Sequence, residues 1–143
     1  MIDLVEIIIA FVSADVVLAS LVGDRIANKH RYGDTALGMW AQGQASLTVR
    51  QETGIGEVYR PVLTATLELR CYASTQAEAM AIWLRLADLA RESQRVIVQT
   101  SNGQALLYYL VPLTAATQLF DEEVGMDVAM GMFEAMVYRE VLV

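Results

Sequence analysis

Between Leu63 and Tyr72, apolar side chains at Leu63, Ala65, Leu67, Leu69 and Cys71 alternate without a break with Thr64, Thr66, Glu68, Arg70 and Tyr72. A period of two over ten residues fits a strand with one buried face, because successive side chains of an extended chain point to opposite sides. The period then changes. Thr75 and Glu78 stand at capping-box spacing ahead of an alanine- and leucine-rich run free of Gly and Pro, which predicts a helix to about Ser93. Met80, Ala81, Leu84, Ala87 and Ala90 form its expected core stripe, with Arg85, Asp88, Arg91 and Glu92 on the wetter side. The small alanines suit a helix lying close against a sheet.

The remaining segments extend this unit in both directions. Ala45, Leu47 and Val49 alternate with Ser46, Thr48 and Arg50. That pattern predicts a second strand, ending in a flexible turn at Glu52 to Gly56 and pairing with the first as an antiparallel hairpin. At the start, Leu4, Val5, Ile8, Ile9, Phe11, Val12, Val16, Val17, Ala19 and Leu21 keep a three-to-four spacing, expected as one helix with a bend or fresh N-cap at Ser13 and a stop at Gly23. Val22 to Ala27 reads as a connection or short strand, and Ala27 to Gly43 as a long loop. Downstream come a β-branched run at Val96 to Thr100, a hairpin signal at Ser101-Asn102-Gly103, and a long strand from Gln104 to Leu119 with Pro112 at an edge or bulge. An acidic turn around Gly125 and a final strand from Val128 to Val141 complete the order. The expectation is one α+β domain over residues 1–143, with a largely antiparallel four- to five-stranded sheet and two main helices packed on one face.

That final strand is apolar on both sides, with Val128, Met130, Met132 and Met136 on one and Ala129, Phe133, Ala135 and Val137 on the other. An antiparallel sheet in a small domain usually leaves one face to water, so the second apolar side suggests contact with another subunit. Composition agrees. Hydrophobic residues make up 55% of 143 residues and charged ones 19%, and the mean hydropathy of +0.40 is high for so small a body standing alone. Association or membrane contact would answer this, and Asp3, Glu6 and Asp15 interrupt the opening apolar run well short of a membrane span. Association is therefore preferred. A net charge of −7 excludes a module that grips phosphate backbones. The cations are nine arginines and Lys29, and arginine is the cation that tolerates interfaces. Met39, Trp40, Arg50, Arg60, Met130, Met132, Met136 and Tyr138 are the candidate interface residues. Met39 and Trp40, apolar within a loop, are either a local anchor or a docking element, and docking is preferred.

Chemistry finds no foothold in the sequence. His30 has no acidic, Ser or Cys partner at motif spacing, and its neighbours Lys29 and Arg31 favour the neutral ring. Cys71, alone on the apolar face of its strand, reads as an inert small hydrophobe. Asp121, Glu122, Glu123 and Asp127 lack the ligand spacing of a calcium loop and read as a solvated turn. Glu68 and Arg70 share a strand face and can pair there without implying catalysis. No nucleophile elbow, phosphate loop, dinucleotide fingerprint or zinc-binding helix occurs. The expectation is a non-enzyme with no metal and no cofactor.

The succession of an amphipathic first helix, Leu18 to Ile26, the strand Leu63 to Ser74 running into the helix Thr75 to Ser93, the late acidic turn and the final strand resembles a family of tailed-bacteriophage proteins. These are the tail terminators, or tail-completion proteins, of the head-tail junction. The resemblance implies a hexameric ring in the virion neck, assembled in the host cytoplasm. Such a ring caps the tail tube, ends its polymerisation and meets the head connector, while double-stranded DNA passes through the lumen without being held. The partners implied are further copies of the chain, the tail tube protein and the connector or stopper protein, with no membrane. The Ala27 to Gly43 loop departs from the family pattern. A head-side stopper or a tube subunit is the neighbouring alternative, and a small-ligand module with an apolar pocket the alternative from another class.

Overall fold

The computed structural model describes residues 2–30, 40, 43–56 and 62–139. Three helices, α1 (Leu4–Ser13), α2 (Val16–Val22) and α3 (Gln76–Arg91), accompany seven strands. The strands are β1 (Ile26–Ala27), β2 (Ser46–Gly56), β3 (Val62–Ala73), β4 (Val96–Thr100), β5 (Gly103–Pro112), β6 (Thr117–Asp121) and β7 (Met126–Tyr138). The sheet runs β1-β2-β3-β7-β5-β4, with β6 also paired to β7. The two-residue β1 lies parallel to β2, and every other pairing is antiparallel. The α+β class therefore holds, with seven strands in place of four or five and three helices in place of two.

Each difference has a local cause. The apolar spacing of the first segment runs on through a sharp turn: α1 and α2 meet at 93°. Asp15, not Ser13, is the N-cap of the second helix, its carboxylate accepting from the Leu18 N–H at 2.9 Å. The predicted flexible turn at Glu52 to Gly56 remains strand, because a register shift between Gln51 and Thr53 absorbs one extra residue and lets β2 follow β3 to Gly56. The long strand expected from Gln104 to Leu119 divides at residues 113–116 into β5 and β6, which bond to successive halves of the same β7 edge. Across the gap the Leu113 N–H donates to the Met132 carbonyl at 2.8 Å. The Thr114 hydroxyl accepts from the Met132 N–H at 3.1 Å, taking the place of a backbone carbonyl.

All three helices lie on one face of the sheet. Their apolar side chains merge with Leu63, Ala65, Leu67, Leu69 and Cys71 of β3 and with Ala129, Phe133, Ala135 and Val137 of β7 into one core. The expected stripe on α3 is rotated. Ala79, Ile82, Trp83, Leu86, Leu89 and Ala90 face the sheet, while Ala81 and Leu84 face outward. The bulkier side chains set the orientation, since burying Trp83, Ile82 and Leu86 removes more apolar surface from water than burying alanines. Thr75 caps α3 as expected, its hydroxyl accepting from the Glu78 N–H. Gly131 of β7 gives the Trp83 ring its place, because a Cβ there would sit 2.4 Å from the indole.

Candidate assembly interface

The register of β2, β3, β7 and β5 builds the face turned away from the helices. Arg50 stands opposite Glu68, and Glu68 opposite Met132. Thr48, Arg70 and Met130 form the next row toward one end. Toward the other end, Met136 lies between Thr64 and Tyr109, and Tyr138 between Val62 and Leu106. Five of the candidate residues, Arg50, Met130, Met132, Met136 and Tyr138, thus share one face. The four β7 residues are half-buried, at positions that alternate with the fully buried ones under the helices. Met39 and Arg60 lie outside the described residues. Trp40 is only 8% exposed and meets the His30 ring edge-on, with centroids 5.0 Å apart.

Two characters divide the face. At one end His30 packs between Trp40 and Tyr72, its ring 4.6 Å from the tyrosine. Burial pushes the His30 pKa down against the opposing pull of Asp121, which favours the neutral ring. Arg70 Nε donates to Glu68, the same-face pair that the strand period predicts. With Asn28, Lys29, Thr48 and Arg50 these groups line a small polar cleft. Toward the other end the surface is apolar. Tyr109, Val111 and Met136 line an open depression beside Arg95, and Ile97 on β4, opposite Leu106, is 61% exposed. Glu134, absent from the sequence reading, sits between Met132 and Met136 and accepts from the Tyr109 hydroxyl at 3.1 Å. Desolvation and that carboxylate both raise the tyrosine pKa. Its position on the methionine side of an alternating strand was the signal available in the sequence.

A second exposed apolar group belongs to the helix layer: Val16 at 81%, Leu84 at 58%, and Val17. The sequence reading assigned all three to core stripes. Asp15 and Arg85, their neighbours in sequence, join the start of α2 to α3 through two hydrogen bonds, of 2.9 and 2.7 Å. Among the described residues no group of His, Cys, Asp and Glu is arranged to hold a metal ion. Cys71 is fully buried and burial pushes its thiol pKa up, which leaves it unreactive. No described helix is long and apolar enough to cross a membrane by itself.

The architecture is an α+β sheet covered by helices on one side only. No family model matches the chain, and no curated protein sequence does. A solved structure does match in fold: a chain of the "Virion of native gene transfer agent (GTA) particle", with a TM-score of 0.57 and 21% identity over 87% of this chain and 86% of that one.

Proposed function

We propose that this chain is a non-enzymatic structural protein of a tailed-phage-like particle, and that it forms a ring which caps the tail tube, ends its growth and joins it to the head connector. The observation that carries the reading is the likeness, over nearly the whole of both chains, to a chain of a gene transfer agent virion. The half-exposed methionine face supports it, since Met132 and Met136 offer an adaptable surface that closure by further copies would cover. An acidic chain, at −7, also suits a lumen through which DNA slides without being gripped.

Sedimentation velocity and negative-stain images of the purified chain, alone and with tail tubes, test the proposal. Closed rings in solution, or rings seated on tube ends, are expected. Long cylinders grown from the chain alone would make it a tube subunit. A monomer at high concentration that leaves tubes uncapped would remove the ring role altogether.

A further inference from the structure

The geometry points to a head-to-tail contact between copies of this chain, in which the outer helix face of one copy seats on the open sheet face of the next. This rests on the ring reading above and specifies its contact. Two observations carry it.

The first is the placement of exposed or half-buried apolar side chains on two faces that look away from each other. Val16, Val17 and Leu84 lie on the helix layer, and α3 adds Ala77 and Ala81 along the same outward line as Leu84. Met132, Met136 and Val111 lie on the far side of the sheet. A two-fold dimer buries one patch against itself and leaves the other wet. A heterologous contact covers both with a single interface repeated around a closed ring.

The second observation is charge. On α3 the helix patch is flanked by Glu78, Asp88 and Glu92, with Arg91 beside Asp88 at 3.7 Å and Arg85 already engaged by Asp15. The sheet face is balanced, with Lys29, Arg50, Arg70 and Arg95 against Glu52, Glu68, Asp121 and Glu134. In a chain of net charge −7 this face is where an acid-flanked patch meets no surplus of like charge.

The test uses two full-length variants, one with Val16→Glu and Leu84→Glu, the other with Arg95→Glu and Met136→Glu. Thermal unfolding checks that each folds, and serine replaces glutamate wherever the midpoint drops. Each variant alone should sediment as a monomer. Mixed in equal amounts they should form heterodimers and go no further, because one intact helix face meets one intact sheet face and the return contact is missing. A mixture that stays monomeric overturns the contact, as do rings that survive in either variant. Rings in the unaltered protein under those outcomes leave the ring reading standing. An unaltered protein that never associates removes the ring reading and the contact together.

Discussion

Asp15 is one carboxylate with two tasks: it caps α2 through the Leu18 N–H and holds Arg85 through both of its oxygens. The Arg85 hydrogen bond, with help from the Leu18 N–H, keeps its pKa below the usual carboxylate value against the opposing effect of burial. A folded-state pKa below the unfolded one means that this stabilisation is complete above about pH 4 and fades as the pH falls through the depressed value. Asp15→Ala should therefore lower the melting temperature at pH 7, with about 1 kcal/mol lost from the cap alone. The gap between variant and parent should narrow in acid melts. An equal gap at pH 7 and pH 3 would contradict this account. Gly131 makes a different demand, since a methyl group there meets Trp83 at 2.4 Å and Thr114 Oγ1 at 3.1 Å. Gly131→Ala should cost about 1–3 kcal/mol by overpacking. In urea melts the penalty should shrink in a Trp83→Leu background; an unchanged penalty would place the strain elsewhere.

At the scale of elements, the two edges of the sheet are defended differently. β2 carries Arg50, Glu52, a register shift and Gly54 along its exposed stretch, all features that discourage further pairing. β4 reads Val-Ile-Val-Gln-Thr, without charge or bulge, and no strand among the described residues pairs its outer side. Because Ile97 is mostly exposed, Ile97→Lys should leave the melting temperature within about 2 °C, since surface changes typically fall within about 0.5 kcal/mol. It should also reduce light scattering on storage at high concentration; unchanged scattering would show that the edge is not the sticky element.

Much of this layer was legible in the sequence. The ten-residue alternation yields β3, the pair Thr75 and Glu78 yields the start of α3, and the Asn-Gly signal yields the β4–β5 hairpin. There the tip folds onto α1 through Glu6, which accepts from Ser101 and Asn102. Local patterning could not reveal the phase of α3, which depends on Trp83 meeting the gap above Gly131 some fifty residues later. Nor could it reveal the split between β5 and β6, which depends on a side-chain hydroxyl bridging to a distant strand. The shared face of Arg50, Met130, Met132, Met136 and Tyr138 follows from strand parity once the register is known. Val16, Val17 and Leu84 were hidden because an outward apolar stripe and an inward one look alike in a sequence.

For the whole molecule, the one-sided helix layer leaves the methionine face open until another body covers it. Association should therefore be readable by oxidation. Met132 and Met136 should react with dilute hydrogen peroxide several-fold more slowly in associated than in dissociated subunits, as measured by peptide mass spectrometry. Equal rates in the two states would mean that this face stays wet on association. The molecule also has an internal spine. β7 is bonded along one edge to β3 and along the other to β5 and β6. Tension applied along its axis is borne by all three neighbours at once, as in a laminated beam whose layers are glued over their full length. Such a member is stiff in stretch, and at residues 113–116 two hydrogen bonds to Met132 carry the lamination across the change from β5 to β6.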